Sequence, residues 1–316
     1  MSKDLIWSYF LQLSNHMWDD ETTTRSTWYT PNVYLESDMP ELNVWDDIIK
    51  YVAGLKYNTV IVDVGDGVLY DSHPEISDPG AWTKDFTKKK LDEMRALGLE
   101  PIPKLNFSTA HDTWLKEYRR KISTPEYYRL ISDLISEVCE LFGNPRFFHL
   151  GLDEEAADAK FSDLGIVRSK ELWWHDLYFM FAECEKHGAQ PWIFSDSYWY
   201  NADMFLKKMP KSVLQSNSTY DKFCEYDKSE LLYRSIKAYD DFDKHGFEQV
   251  PLFTTWAVNY NAHQTLGYCK DHISPELLKG YITIPWTQTR ESERYRLMND
   301  AYRCYLARKH FYPETL

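Results

Sequence analysis

Several features that mark common protein classes are absent or scarce in this chain of 316 residues. No apolar run approaches the ~20 residues that a membrane-spanning helix needs. The first twenty residues contain one lysine and a short apolar stretch broken by Ser and Gln, without the small-residue cleavage site of a secretion signal. The five cysteines form no C-x-x-C pair of the kind used by zinc and redox sites. We therefore expect free thiols and a cytoplasmic protein.

Positively charged residues are also fewer than negatively charged ones. Lys and Arg number 36 against 49 Asp and Glu, which gives a formal net charge of -13. Such a surface repels phosphate backbones and anionic lipids, so neither nucleic acid nor a membrane is an expected partner. Aromatic residues, in contrast, make up 16% of the chain and include 12 Trp and 23 Tyr. Their flat, amphipathic rings make sugars and other ring-shaped polar ligands candidate partners.

The chain alternates short β-type apolar runs with longer segments of helical period, a pattern typical of parallel βα units. The candidate strands are residues 6–13, 59–64, 101–105, 147–151, 191–195, 213–216, 252–255 and 281–285. No G-x-G-x-x-G turn follows the first strand, as a doubly wound dinucleotide-binding sheet would have. We therefore predict a single (β/α)8 barrel domain over residues 1–316.

Three helices are especially clear. The first begins at Thr124-Pro125, an N-cap and N1 pair, carries an apolar stripe, and ends at Gly143. A second stripe contains Trp173, Leu177, Met180, Phe181 and Cys184. The third helix, predicted over residues 293–309, is expected to close the ring as the eighth barrel helix.

The carboxyl ends of barrel strands form the active face, so polar side chains there are the candidate functional residues. The strand ends supply Asp63, Asp66, Asn106 followed by His111, Asp153 with Glu154, Asp196, Asn217, Trp256, and Trp286 with Gln288. The sharpest feature is the fourth strand, where FFHLGL runs into Asp153, Glu154 and Glu155. Adjacent carboxylates against aromatic walls repel one another, which raises one pKa and leaves another group ionised. This division suits glycoside cleavage, which needs an acid beside an anion.

The segment from His149 to Glu154, HLGLDE, resembles the H-x-G-G-D-E signature of the β-N-acetylhexosaminidases, glycoside hydrolase family 20. The second strand, NTVIVDVGDG, is similar to that family's second strand and ends near Asp66. His111 falls where the family has a His after its third strand, and Trp286-Thr287-Gln288 resembles its eighth-strand Trp-x-Glu. The similarity thus extends over most of the chain in the correct order.

The resemblance implies substrate-assisted hydrolysis of β-linked N-acetylhexosaminides with retention, in which the sugar's 2-acetamido oxygen is the nucleophile. Glu154 would be the general acid and then the base, and Asp153 would orient the acetamido group and stabilise positive charge. The implied partner is a carbohydrate, and neither a cofactor nor a metal is expected. Further substrate contacts would come from Asp66, His111, Asp196, Trp256, Tyr260, Trp286 and Gln288.

Departures from the family pattern keep other functions open. The first strand lacks the family's sugar-gripping Arg, and the nearest arginine is Arg25. Gln288 replaces a Glu, and Asp63 replaces a His. A catalytically silent barrel that binds glycans, or a glycosidase with another sugar preference, fits these changes. A metal site built from His and Asp at the strand ends is a further alternative, although no H-x-H or H-E-x-x-H spacing supports it.

Overall fold

A computed structural model describes residues 5–14, 39–155, 168, 170–255 and 258–316. Eight strands follow one another along the described chain. They are β1 (Ile6–Gln12), β2 (Thr59–Asp63), β3 (Glu100–Lys104), β4 (Phe147–His149), β5 (Gln190–Phe194), β6 (Leu214–Ser216), β7 (Leu252–Phe253) and β8 (Gly280–Thr283). Each observed strand overlaps the strand predicted from its apolar run.

All strand pairs are parallel, and the sheet runs in the order β6-β5-β4-β3-β2-β1-β8-β7. Its two edges meet through parallel bridges that join Gln215 to Gln249 and Ser218 to Leu252. The amide of Val250 donates to the carbonyl of Gln215 at 2.9 Å across this seam. The sheet is therefore a closed barrel, which confirms the predicted (β/α)8 fold.

Helices connect successive strands on the outside of the barrel. They are α1 (Leu42–Gly54), α2 (Lys84–Ala96), α3 (Pro125–Leu141), α4 (Lys170–Lys186), α5 (Ser197–Tyr200), α6 (Ala202–Lys208), α7 (Glu230–Lys244), α8 (Asn261–His272) and α9 (Arg294–Phe311). The predicted cap of α3 is confirmed, because Thr124 Oγ1 accepts the Tyr127 amide at 3.3 Å. Gly143, with φ +73°, follows the end of α3.

The core has two parts, because alternate residues of each barrel strand face opposite sides. Inward-facing side chains such as Phe10, Ile61, Trp192 and Leu252 fill the barrel interior. Outward-facing ones pack against the apolar stripes of the helices. No helix in the described residues is both long and apolar enough to cross a membrane. The five cysteines are free thiols, as predicted, and only Cys224 is exposed.

Strands β4, β7 and β8 each end two residues earlier than predicted, and the early end of β4 at His149 is the one that shapes the site. Gly151 and Leu152 have φ values of +68° and +73°, so the chain leaves the extended conformation directly after the strand. This early end turns the following residues, Asp153 and Glu154, across the mouth of the barrel.

Candidate active site

Four predicted site residues meet at the carboxyl ends of β3, β4 and β5: Asp153, Glu154, His111 and Asp196. His111 Nε2 lies 3.4 Å from Asp153 Oδ2 and 3.1 Å from Glu154 Oε2. The side chain of Asp153 is 16% exposed and that of Glu154 is 35% exposed. The Glu154 side chain is thus the more exposed of the two, although its Oε2 atom is itself buried.

The acids are held by an unusual turn after β4. Gly151, Leu152 and Glu154 all have positive φ, the last at +57°. A Cβ atom on Gly151 would lie 2.1 Å from Asn106 Oδ1, so only glycine fits beside that amide. The Gly151 amide donates to His149 Nδ1 at 3.0 Å, which fixes that ring nitrogen as unprotonated.

Asn106 connects this turn to β3. Its Nδ2 donates to Asp153 Oδ1 at 2.9 Å, and its Oδ1 accepts the amides of Leu152 at 3.2 Å and Ser108 at 3.1 Å. A single buried amide therefore positions one carboxylate and the backbone that precedes it. Sequence reasoning placed Asn106 at a strand end without assigning it this contact.

His111 is the cation of the site. Burial lowers its pKa, but the charge of Asp153 and the contact with Glu154 outweigh burial and raise the pKa of His111 from 6.5 to about 9. At neutral pH the imidazolium therefore lies between two carboxyl groups, where it offsets their mutual repulsion.

Asp196, which follows β5, is the third carboxylic acid at this site. Its Oδ2 accepts the backbone amide of Glu154 at 2.6 Å. Burial raises the pKa of Asp196 well above its ordinary value, and the charge of Asp153 raises it further, while the hydrogen bond from Glu154 acts in the opposite direction. Asp196 is thus a third acid of the site, and it lies 42 residues beyond Glu154 in the sequence.

The third acid of the fourth-strand motif, Glu155, has a different environment. Its side chain is 2% exposed and forms an ion pair with Arg168 at 3.0 Å. It also accepts the Thr109 amide at 2.8 Å and the indole N–H of Trp173. Glu155 is therefore a buried link between the third and fourth βα connections rather than a reactive group.

Aromatic rings border the acids on the side of β8. Trp286 lies with its ring centroid 5.5 Å from Phe10 and 5.9 Å from Phe194, and its indole N–H donates to Tyr220 Oη at 3.1 Å. Burial is the main cause of the raised pKa of Tyr220, to which the charges of Asp153 and Glu154 contribute. Sequence reasoning missed Tyr220, whose only signal is its place four residues after the end of β6.

A buried ion pair lies in the barrel beneath the acids. Lys104 Nζ donates to Asp63 Oδ2 at 2.6 Å, and both side chains are fully buried. The rings of Phe10 and Phe194 lie 5.3 and 5.6 Å from the same ammonium group. Asp63, where the family pattern has a His, is therefore the partner of a buried lysine.

The remaining predicted contacts are less closely tied to the acids. Asp66 is 1% exposed and accepts the hydroxyl of Ser14. Tyr260 precedes α8 and is 48% exposed, and no contact joins it to the carboxylates within the described chain. Gln288 is half-buried two residues beyond Trp286. Trp256 and Arg25 lie outside the described residues.

The strand-end His and Asp residues do not converge on a metal position. No group of three or more His, Cys, Asp or Glu in the described part of the chain has the arrangement to hold an ion. Asp63 Oδ2 is engaged by Lys104, and His149 Nδ1 accepts the Gly151 amide.

No protein-family model and no curated protein matches this sequence. Solved structures do match it. The family 20 β-N-acetylhexosaminidase from Streptomyces coelicolor superposes with a TM-score of 0.63 at 14% identity, over 94% of this chain and 63% of that one. The chitobiase of Flavobacterium johnsoniae gives a TM-score of 0.62 at 16% identity, over 93% and 47% of the two chains.

A third neighbour is the exo-β-N-acetylglucosaminidase from Vibrio harveyi, whose structure contains N-acetylglucosamine. It has a TM-score of 0.60 and 13% identity over 98% of this chain and 57% of its own. The present chain therefore spans about half to two thirds of the length of these three enzymes. The similarity establishes the same barrel fold with very little sequence identity.

Proposed function

We propose that this chain is a glycoside hydrolase that cleaves β-linked N-acetylhexosaminides with retention of configuration. The observation that carries the proposal is the placement of Asp153 and Glu154 together at the end of β4, with His111 in contact with both. This pair lies on the face where barrel enzymes carry their chemistry. The fold shared with family 20 enzymes, one of which binds N-acetylglucosamine, supports the choice of substrate.

In the first step Glu154 donates its proton to the leaving oxygen as the glycosidic bond breaks. The carbonyl oxygen of the substrate's 2-acetamido group forms the new bond to the anomeric carbon, so the protein supplies no covalent nucleophile. Water, deprotonated by the Glu154 carboxylate, then attacks the same carbon and reopens the ring. The partial exposure of Glu154 suits a group that exchanges protons with substrate and water in turn.

Asp153 has the complementary role. Its Oδ1 is fixed by Asn106 at 2.9 Å and its Oδ2 lies near His111, so the carboxylate is held in one orientation. A fixed anion next to the acetamido group would orient its N–H and stabilise the positive charge of the cyclic intermediate. Such preorganised charge is most effective where water is excluded.

The sugar ring would lie against Trp286, with the hydroxyl of Tyr220 beside it. Tyr220 accepts the indole proton of Trp286, and this bond fixes the two rings relative to each other. We propose Asp66, Asp196, Trp256, Tyr260 and Gln288 as further contacts or supports of the substrate. No cofactor or metal enters this scheme.

The decisive experiment compares release of aryl leaving groups from β-GlcNAc and β-GalNAc with release from β-glucose and β-galactose, for wild type and Glu154→Gln. We expect hydrolysis of the acetamido sugars alone, reduced at least ~1000-fold in the variant. Equal rates on plain glucosides would contradict the substrate-assisted mechanism. Full activity of Glu154→Gln would remove Glu154 from its proposed role, and circular dichroism of the variant controls for folding.

A second candidate, a barrel that binds glycans without cleaving them, is favoured by one observation. His111, cationic at neutral pH, lies 3.1 Å from Glu154 and 3.4 Å from Asp153, so both proposed catalytic acids are already engaged by a cation of the protein. Calorimetric binding of chitooligosaccharides without hydrolysis at any pH between 4 and 8 would support this candidate. Hydrolysis that grows toward acid pH would exclude it.

A further inference from the structure

Asp196 differs from the other acids of the site in the hydrogen bond that its side chain accepts. It occupies the N-cap position of the short helix α5, yet it makes no capping bond to that helix. Its Oδ2 instead accepts the amide of Glu154 at 2.6 Å, across from β5 to the turn after β4. The side chain therefore supports the neighbouring connection rather than its own.

The amide that it accepts belongs to a backbone in an unfavourable conformation. Glu154 has φ +57°, and residues with a Cβ rarely adopt this region without external support. The hydrogen bond to Asp196 is the contact from another strand that fixes this amide. The direction in which the Glu154 carboxyl leaves the chain thus depends on Asp196.

Three carboxyl groups share this corner of the barrel mouth. Asp196 is 8% exposed, whereas the side chains of Asp153 and Glu154 are 16% and 35% exposed. The charged groups that face Asp196 come from the turn after β4, Asp153 and Glu154, while its neighbour Ser195 contacts the neutral side chain of Gln215 on β6. The cation His111 contacts the other two acids.

The two oxygens of Asp196 have unequal surroundings. Oδ2 has the Glu154 amide, whereas Oδ1 is fully buried and has no hydrogen-bond partner among the residues that the structure describes. A buried carboxylate with an unpartnered oxygen beside two other acids is strongly disfavoured in the charged form. Burial and the neighbouring acids together favour the neutral form of Asp196.

We propose that Asp196 is a positioning residue that works as a neutral carboxylic acid, holding the Glu154 amide through Oδ2 and keeping its proton on Oδ1. The inference deepens the proposed function, since it concerns how that site is built. A neutral Asp196 positions Glu154 without adding a third negative charge to the pocket. The charge of the pocket around the proposed catalytic acid is then set by Asp153, Glu154 and His111.

Infrared difference spectra between wild type and Asp196→Asn test the protonation state directly. We expect a carboxylic-acid C=O band of wild type at pH 7 that the variant lacks. Asp300 provides a matched control, because burial raises the pKa of this second carboxyl to about 6. The difference spectrum between wild type and Asp300→Asn should show such a band only below about pH 6. Absence of the Asp196 band at pH 7 would overturn the proposal.

Stability gives an independent test with a defined sign. The folded protein keeps a proton on Asp196 that the unfolded chain loses above about pH 4, so folding becomes less favourable as pH rises. The unfolding constant of wild type should therefore grow relative to that of Asp196→Asn by up to ~tenfold per pH unit between pH 4 and 7. A constant ratio across this range would show that Asp196 is ionised in the folded state.

Amide hydrogen exchange at Glu154 tests the positioning role. Asn keeps an oxygen acceptor and Ala does not, so protection should persist in Asp196→Asn and fall at least ~tenfold in Asp196→Ala. Equal protection in both variants would overturn this role. With aryl β-GlcNAc as substrate, kcat should fall ~100-fold in Asp196→Ala, and the conservative Asp196→Asn should recover most of that loss. If wild type cleaves no glycoside, the proposed function fails, yet spectra, stability and exchange still decide the role of Asp196.

Discussion

Replacement of Gly151 by Ala tests whether the turn after β4 is built as described. The new Cβ would lie 2.1 Å from Oδ1 and 2.5 Å from Cγ of Asn106, and 3.0 Å from its Cα. The last contact is with backbone, so rotation of the Asn106 side chain cannot relieve all of the overlap. In addition, Ala would have to adopt φ +68°. The change therefore strains the backbone and displaces the amide that holds Asp153.

The expected cost follows from these two effects. A left-handed conformation costs an L-residue about 1–2 kcal/mol. Displacing Asn106 breaks its bonds to Asp153, Leu152 and Ser108, and each buried partner left without a hydrogen bond costs about 1–3 kcal/mol. Allowing for partial relaxation, we expect the free energy of unfolding to fall by about 4 kcal/mol.

Gly188→Ala is the matched control. Gly188 has φ +74°, but a Cβ there would meet no atom within 4 Å, so only the conformational cost of about 1–2 kcal/mol applies. Urea denaturation of both variants measures the difference, and hydrolysis of aryl β-GlcNAc measures the site. We expect Gly151→Ala to lose ~100-fold or more in kcat and Gly188→Ala to retain it. Equal destabilisation by the two substitutions would refute the described packing of Asn106 against Gly151.

Three further predictions concern the charges and the aromatic wall. The pKa of His111 is about 9 in the folded protein against 6.5 in the unfolded chain, so the charged ring contributes about 3 kcal/mol of stability below pH 6.5. This contribution is lost as pH rises through 9. The free energies of unfolding of wild type and His111→Asn, measured with urea, should therefore converge over this range. Lys104→Met leaves the buried Asp63 without its partner and should lower the free energy of unfolding by about 3–5 kcal/mol. The double variant Lys104→Met with Asp63→Leu should recover most of this loss in the same urea assay. Equal loss in both proteins would contradict a paired role. Trp286→Ala should raise KM for aryl β-GlcNAc ~10-fold or more, and an unchanged KM would place the sugar elsewhere.

Much of the fold follows from short-range patterns. Apolar runs identified all eight strands, because a barrel strand is buried on both faces and reads as a continuous hydrophobic segment. The cap at Thr124 and the stripe of α3 were likewise predictable, since both depend on residues within a few positions of one another. The end of β4 was misplaced by two residues, because Gly151 in an apolar run does not reveal its positive φ.

The candidate site was only partly predictable. Strand-end placement and motif resemblance put Asp153, Glu154 and His111 on one face, because the carboxyl ends of parallel barrel strands share it. In the structure His111 contacts both acids. The same reasoning could not distinguish Glu155, which is buried against Arg168, from the two acids before it. Three adjacent carboxylates look alike in sequence and differ only in what surrounds them.

The sequence by itself therefore determined the elements, their order, and the edge of the barrel at which chemistry is expected, since these depend on local periodicity and a general property of parallel sheets. The tertiary structure alone decided the contacts among distant side chains. Lys104 meets Asp63 across 41 residues, Asp196 meets Glu154 across 42, and Trp286 meets Tyr220 across 66. These pairs arise from strand register and barrel closure, and they set which groups are charged, which are held, and which remain accessible to a ligand.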